Sequence, residues 1–312
     1  VYRILGFGLA AFCVLPPLLV FYVTRRLADG ASEAELLKDQ QPLPVREALR
    51  ATLINRPFWI VMGLYLFSWT TASLMASMLV FYIRYYMQTP AHADFVVLTA
   101  QFSAILCIPL TVYLSKRLDK RRAFIAGCGA WIAILLGISG LGPDQLGLAY
   151  ALAALSGFGI ATAYVLPWSM IPDLIEVDQR KTGQRREASY YSFVAFFQKL
   201  GTAAALWAVG QGLDWSGYVV PLDDAVRAGA QSFSEMILAG MATGTPAYAA
   251  VSEFTRALGA FPTQPALTLD VLRILMGPVP AALLMVAIAC AWFFPIDRES
   301  HEELLRELDA TA

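Results

Sequence analysis

Charged side chains are scarce in this sequence. Only 15% of the 312 residues are Asp, Glu, Lys or Arg, whereas 58% are hydrophobic. Soluble domains have about 25% charged residues, and one soluble core could not cover this much apolar surface. The low charge therefore excludes an ordinary soluble protein and predicts an integral membrane protein.

Cysteine and histidine are also rare, with four and two residues. The cysteines have neither the spacing of a metal site nor that of a disulfide framework, because all lie within apolar runs. They are Cys13, Cys107, Cys128 and Cys290. His92 and His301 lie near the ends of apolar runs and give little support to a catalytic constellation. The sequence predicts neither a metal centre nor an enzyme.

Seven runs are long and apolar enough to cross about 30 Å of hydrocarbon. They are 4–24, 58–83, 95–115, 123–141, 146–171, 188–212 and 274–294. We therefore predict an all-α integral membrane protein with seven transmembrane spans. The first run has no cleavage site of a signal peptide, and the chain has no initiator methionine, so we expect it to begin within a longer protein.

The basic residues predict the orientation, because Lys and Arg in short loops stay on the cytoplasmic side. If the loop 25–57 is inside, the same side receives the basic clusters at 116–122 and 180–186. The opposite side has few basic residues. We expect a multi-pass protein of the cell membrane, with residue 1 on the extracellular or periplasmic side and a cytoplasmic C-terminus.

These spans divide the chain into four consecutive segments. Residues 1–24 form one span, and residues 25–57 form a cytoplasmic linker with an amphipathic helix at 44–54. Residues 58–294 form a six-helix bundle with an outer insertion at about 219–269, and residues 295–312 form a cytoplasmic tail. In the insertion, the spacing of Val251, Phe254, Leu258 and Phe261 predicts a short amphipathic helix.

Several motifs occur in a fixed order. They are Leu-Pro-Trp-Ser-Met-Ile-Pro-Asp-Leu-Ile-Glu at 166–176, Lys-Thr-Gly-Gln-Arg-Arg-Glu at 181–187, Tyr-Tyr-Ser-Phe at 190–193, Phe-Gln-Lys-Leu-Gly at 197–201, Gly-Tyr at 217–218 and the ending from Phe294. This series resembles the tenth and eleventh helices, and the ending resembles the tail after the twelfth helix, of the glycoside-pentoside-hexuronide:cation symporters, the melibiose-permease-like branch of the major facilitator superfamily. The resemblance implies a fragment: the last span of the N-terminal half and the six-helix C-terminal half, without the first five helices.

The resemblance also implies what the chain binds. We expect a small-molecule solute and a coupling cation, Na⁺ or H⁺, whose acidic ligands lie mostly on the absent helices. We expect no other cofactor, no nucleic acid, and a monomeric carrier in the lipid bilayer.

Lys199 is the main candidate for the solute and cation pathway. It lies near the middle of the sixth run, where an unpaired charge costs about 2.5–3.5 kcal/mol. Small residues, among them Ala195, Thr202 and Ala203, share its helical face and can line a cavity. The alternative is a lysine that extends to the membrane interface. In the family that the chain resembles, the matching lysine lies beside the central cavity.

Other pathway candidates are aromatic or polar. Tyr65, Trp69 and Ser73 recur at every fourth position and could stack on a sugar ring, or could simply pack helices. Tyr164 and Trp168 flank Pro167, which removes a backbone hydrogen bond; Trp168 could equally belong to an interfacial belt. Gln198, beside Lys199, completes the predicted pathway.

Charged residues at the inner helix ends suggest a cytoplasmic gate. Opposite charges there can pair when that side closes and separate when it opens, or can simply set the topology. The candidates are Asp119, Arg117, Arg121, Asp173, Glu176, Arg185 and Arg186.

The sequence predicts a cation-coupled symporter that works by alternating access on a sugar-like solute. The apolar turn from Val194 to Phe197 is more similar to sodium-coupled lysolipid transporters of the same family, which remain an alternative. A seven-span receptor or membrane scaffold is another, but it leaves the mid-span lysine and the ordered motifs unexplained.

Overall fold

The computed structural model describes residues 13–25, 53–182, 187–220, 224–259 and 264–294, and every regular element in these ranges is helical. The chain divides into two units, 1–50 and 51–312. The described part of the first unit is one exposed apolar helix, α1 (Cys13–Arg25). The remainder of the predicted first span, most of the predicted linker helix and the tail 295–312 lie outside the described residues.

The second unit contains six helices or helix pairs that are long and apolar enough to cross a membrane. In chain order the helices of this unit are α2 (Arg56–Phe81), α3 (Ala93–Leu118), α4 (Lys120–Ser139), α5 (Leu146–Thr182), α6 (Glu187–Trp215), α7 (Asp224–Ala239), α8 (Pro246–Gly259), α9 (Ala266–Met276) and α10 (Pro278–Trp292). A π-helical turn, Tyr82–Tyr86, extends α2, and a 3₁₀ turn, Pro90–His92, precedes α3. The prediction of an all-α membrane bundle is confirmed.

Helix α2 lies at the centre of this unit. It packs against α5, α6, α9 and α10, and more than half of its apolar stretch is buried. Its contact with α6 depends on Gly201, where a Cβ would lie 2.8 Å from Thr70 Oγ1 and 3.3 Å from Leu66 O. In contrast, less than a quarter of the apolar stretch of α3 or α6 is buried. These two helices present wide apolar faces, as expected where lipid or further protein covers them.

The last span differs from the prediction of one helix over 274–294. It begins earlier, at Ala266, and breaks at Gly277 between α9 and α10. The predicted run began only after Arg273, because a charged residue was taken as the end of an apolar segment, so the first half of this span was missed. In the structure Arg273 Nε donates to Ser139 O at 3.1 Å, and the guanidinium lies 5.5 Å from the centroid of the Tyr86 ring. The charge is satisfied inside the bundle, so it does not end the helix.

Helix α5 is also longer than the predicted span 146–171. It continues to Thr182 and contains Pro167 and Pro172. Each proline removes one backbone N–H from the helix, which leaves a carbonyl one turn earlier without its usual donor. This segment lies between the aromatic residues and the charged helix ends described below.

Candidate transport pathway and charged helix ends

Five aromatic side chains form one continuous cluster across α2, α5 and α6. Trp69 lies 4.9 Å from Tyr164 and 5.8 Å from Tyr65, measured between ring centroids. Trp168 is 6.2 Å from Tyr65 and stacks on Tyr191 at 6.2 Å. The structure thus brings together four predicted pathway residues and adds Tyr191, which the sequence did not indicate. We call these five residues the aromatic cluster.

The aromatic cluster extends from the interior of the bundle to an open face. Tyr65 is fully buried, whereas Trp168 is 43% exposed and Tyr191 is 39% exposed. The hydroxyl of Tyr65 approaches the Trp168 indole but makes no hydrogen bond of standard geometry. A buried hydroxyl without a partner is unfavourable, and the Tyr65 hydroxyl is one that the described residues leave unsatisfied. The aromatic cluster thus joins the interior of the bundle to exposed side chains of α5 and α6.

The polar groups beside the aromatic cluster bind one another. Trp69 Nε1 donates to Thr202 Oγ1 at 2.9 Å, and Thr202 Oγ1 donates to Gln198 O at 3.1 Å. The Ser73 hydroxyl lies 3.5 Å from Thr202 Oγ1. Thr202 is the hub of this network, although the sequence suggested it only as a neighbour of Lys199. The donors of Trp69 and Thr202 are therefore already used and are not free for the hydroxyl groups of a solute.

Lys199 lies on the open side of α6. The opposite side of the helix packs through Val194, Gly201 and Ala205, whereas Lys199 itself is exposed. Its neighbours Ala195 and Ala203 are also exposed. Lys199 makes no ion pair with any residue that the structure describes. The described part of the bundle thus leaves Ala195 and Ala203 of the predicted face uncovered, whereas Thr202 of the same face is half-buried against α2.

Gln101 is a residue that sequence reasoning missed. It lies near the middle of α3 and is exposed. With Ala76 and Tyr164 it lines a cavity of about 20 Å³, which is room for about one water molecule. An amide within an apolar run is a signal that could have identified it, since such groups are expensive in lipid.

An ion pair joins α4 to α5 at the end of the bundle that carries the basic turn. Lys120 Nζ lies 2.6 Å from Asp173 Oδ2 and 2.8 Å from Asp173 Oδ1, and it also donates to Ser169 O at 2.9 Å. The Asp173 side chain is nearly buried. The prediction named Asp173 but not Lys120, because sequence alone cannot show which of several adjacent basic residues faces an acid 53 positions away.

The other predicted gate residues have separate local contacts. Asp119 has φ +78° and accepts a hydrogen bond from Lys120 N at 2.8 Å, so it caps the start of α4. The guanidinium of Arg117 lies over Tyr113, and that of Arg121 lies over Trp292. Glu176 lies one turn beyond Asp173 on α5. Arg185 and Arg186 lie outside the described residues, and the gate as a whole stays a prediction.

The chain is similar in sequence to several known proteins. Residues 1–298 match the family described as MFS/sugar transport protein. An uncharacterized symporter of Synechocystis is 30% identical over 293 residues, which cover 91% of this chain and 48% of that protein. The sodium-dependent lysophosphatidylcholine symporter 1 of Xenopus tropicalis is 26% identical over 208 residues, 66% of this chain and 39% of that protein. A sphingosine-1-phosphate transporter of the same organism is 24% identical over 270 residues, 86% of this chain and 44% of that protein.

These relatives are transporters, which confirms that the chain is not an enzyme. The chain spans less than half the length of each of these three relatives.

Proposed function

The chain belongs to the MFS/sugar transport protein family, and on that basis we propose that the whole protein is a cation-coupled symporter of the melibiose-permease-like branch. It moves a small organic solute by alternating access. This chain supplies the six-span C-terminal bundle and the last span of the N-terminal half. The turn between α3 and α4 faces the cytoplasm, and the carrier acts as a monomer.

The first candidate solute is a lysolipid. The observation that supports it is the hydrogen-bond network of Trp69, Ser73 and Thr202, in which the polar groups beside the aromatic cluster bind each other. A sugar needs several donors and acceptors that converge on its hydroxyl groups, whereas an amphipathic molecule needs an apolar surface with few polar contacts. The relatives described as lysophosphatidylcholine and sphingosine-1-phosphate transporters favour the same choice.

The second candidate is a sugar-like solute. The tilted pair of Trp69 and Tyr164, 4.9 Å apart, offers aromatic faces on which a sugar ring can stack. Gln101, which lines a cavity with Tyr164, and Gln198 are further polar side chains that could hydrogen-bond to such a solute.

Lys199 is the proposed link between ion and solute. An exposed ammonium group at membrane depth attracts a carboxylate of the whole protein or an anionic group of the solute. Occupation of the cation site then changes the charge that the solute meets, which couples the two binding events.

The test is counterflow in vesicles that contain the full-length protein, with labelled lysophosphatidylcholine and labelled glycosides in separate arms. We expect exchange of the lysolipid, stimulated by a sodium or proton gradient. The variant Trp69→Ala should lose this exchange, whereas the control Trp215→Ala, at an exposed tryptophan outside the aromatic cluster, should keep it. Exchange of glycosides alone would reverse the order of the two candidates. No gradient dependence with either solute would contradict the symporter proposal.

A further inference from the structure

Between α6 and α9 the chain forms a hairpin of two helices, α7 and α8, at the end of the bundle opposite the Lys120–Asp173 pair. The sequence predicted one short helix here, and the structure has two. Helix α8 covers Val251, Phe254 and Leu258 of the predicted helix, and Phe261 lies outside the described residues. The two helices pack against each other.

The base of the hairpin is held at the ends of two spans. Gln264 Nε2 donates to Val219 O at 2.9 Å, and Val219 N donates to Gln264 Oε1 at 3.0 Å. Thr268 Oγ1 donates to Ser216 O at 2.9 Å, which joins the start of α9 to the end of α6. The hairpin therefore leaves and rejoins the bundle at a single point, where α6 ends and α9 begins.

Most of the large apolar side chains of α7 lie away from its covered side. The buried or half-buried positions among the described side chains of α7 are Ala230, Gln231, Ser234 and Leu238, and α8 is the helix that packs against α7. Val226, Phe233, Met236 and Ile237 lie on another side of the helix and are exposed, Phe233 at 60% and Met236 at 64%. Helix α8 likewise exposes Phe254. The hairpin thus has an exposed apolar surface, which we call the apolar stripe: Val226, Phe233, Met236, Ile237 and Phe254.

An exposed apolar surface of this kind indicates an interaction site. Amphipathic helices that lie in a membrane interface bury one apolar side in the boundary between headgroups and acyl chains. The hairpin begins nine residues after α6 ends, and the exposed side chains at that end of the span include Trp215 and Val220. Tryptophan at the end of a span is typical of the interfacial layer.

We propose that the hairpin lies in the interfacial layer of the bilayer, with the apolar stripe inserted among the acyl chains. The partner of this surface is the lipid itself. Acidic and basic residues of α7 and α8 nearly balance, with Asp224, Glu235 and Glu253 against Arg227 and Arg256. Apolar burial therefore drives the contact, and anionic lipid is not required. This inference depends on the membrane spans and not on the identity of the solute.

The test is spin-label accessibility in the full-length protein, reconstituted in phosphatidylcholine vesicles on a background without native cysteines. Labels are placed by Phe233→Cys and Met236→Cys, with Glu235→Cys as the matched control. Phe233 and Glu235 lie on nearly opposite sides of α7, about 160° apart. We expect oxygen collisions to exceed those of a water-soluble nickel complex at positions 233 and 236, and the reverse at 235. Added phosphatidylglycerol should leave these ratios unchanged.

A second measurement does not depend on cysteine substitution. The variant Phe233→Trp should gain fluorescence that brominated phosphatidylcholine quenches, and Glu235→Trp should gain fluorescence that it does not quench. If the labels at 233 and 236 collide mainly with the nickel complex, the apolar stripe lies in water. If they collide with neither oxygen nor the nickel complex, the apolar stripe packs against protein, as a lid. Either result, or a requirement for anionic lipid, would overturn the proposal.

Discussion

Lys120 and Lys199 are both charged residues within helices of the bundle, but their surroundings differ. Lys120 is held by both oxygens of Asp173 and by the carbonyl of Ser169. Lys199 is exposed on α6, and it has no ion-pair partner among the residues that the structure describes. One ammonium group is satisfied by its own bundle, and the other is open to a partner.

The difference separates a structural charge from a candidate transport charge. A buried charge that has lost its partner is strongly unfavourable, so removal of Lys120 should affect folding. An exposed lysine with no described partner contributes little to the stability of the bundle, so removal of Lys199 should affect transport instead. The two lysines therefore predict opposite results in measurements of stability and of coupling.

The largest effect on stability is expected for Lys120→Met. It removes Lys120 from the nearly buried Asp173 carboxylate, and breaking a fully buried pair would cost about 3–5 kcal/mol. Because the Lys120 side chain is 33% exposed, we expect a smaller loss, about 2–3 kcal/mol in the free energy of unfolding. Denaturant unfolding of the full-length protein in detergent measures it, with Lys199→Met as the control.

The control should change the free energy of unfolding by less than about 0.5 kcal/mol. The double variant with Lys120→Met and Asp173→Leu should recover part of the loss, because it also removes the carboxylate from which Lys120 was taken. Equal losses for Lys120→Met and Lys199→Met would break the contrast between the two lysines.

The next effect compares the packed and the open side of α6. At Gly201 an added methyl group meets Thr70 and Leu66, whereas at Gly210 nothing lies within 4 Å. We expect Gly201→Ala to cost about 1–3 kcal/mol through overpacking. Gly210→Ala should be neutral or stabilising by up to about 1 kcal/mol, because alanine favours helix. Thermal unfolding of both variants measures these effects. Similar shifts of the unfolding temperature in the two variants would show that the two sides of α6 are not packed differently.

A smaller effect is expected for Tyr218→Phe, next to the base of the hairpin. Tyr218 Oη donates to Tyr85 Oη at 2.8 Å, and loss of this bond should cost about 1 kcal/mol. Burial raises the pKa of the Tyr218 hydroxyl above its ordinary value, and the bond to Tyr85 adds to the increase. Because this pKa is raised in the folded state, the stabilisation by the neutral Tyr218 hydroxyl is fully present below the ordinary tyrosine pKa. It is lost only as the pH rises further, through the folded-state pKa. The difference between parent and variant should therefore be constant from about pH 6 to 9; a decline within that range would contradict the assignment.

The smallest effect on stability is expected for Asp119→Asn. Asparagine caps a helix as well as aspartate does, and it also tolerates the positive φ, so the free energy of unfolding should change by less than about 0.5 kcal/mol. If the Asp119 charge also acts in the cytoplasmic gate, the transport rate should fall while solute affinity stays within a few-fold. Vesicle assays measure both quantities. An unchanged rate would leave Asp119 with the capping role alone.

Most of the fold could be predicted from the sequence, because apolar runs of sufficient length have few alternatives to membrane spans. Four of the six long spans agree with the predicted runs, for example 58–83 against Arg56–Tyr86, and a fifth, α5, continues beyond its predicted end at 171. The sixth was predicted too short because a sequence pattern counts Arg273 as a break. It could not show that Ser139 and Tyr86 would satisfy that charge.

The candidate site was less predictable. Helical spacing correctly placed Tyr65 and Trp69 on one side of α2, since that relation lies within a single helix. The contacts of Trp69 with Thr202 and Tyr164 join different helices, and the pairing of Lys120 with Asp173 joins α4 to α5. Such relations depend on how the helices pack, which one sequence does not determine. Tyr191 was missed for the same reason, whereas Gln101 had a signal in the sequence itself, an amide within an apolar run.

The most direct test of the account is Lys199→Ala in the full-length protein, assayed for solute accumulation against an imposed sodium or proton gradient in vesicles. We predict parent-like stability, continued passive exchange and loss of gradient-driven accumulation, because the charge that links ion to solute has been removed. Accumulation equal to that of the parent would contradict this and would make Lys199 a lysine that only extends to the membrane interface.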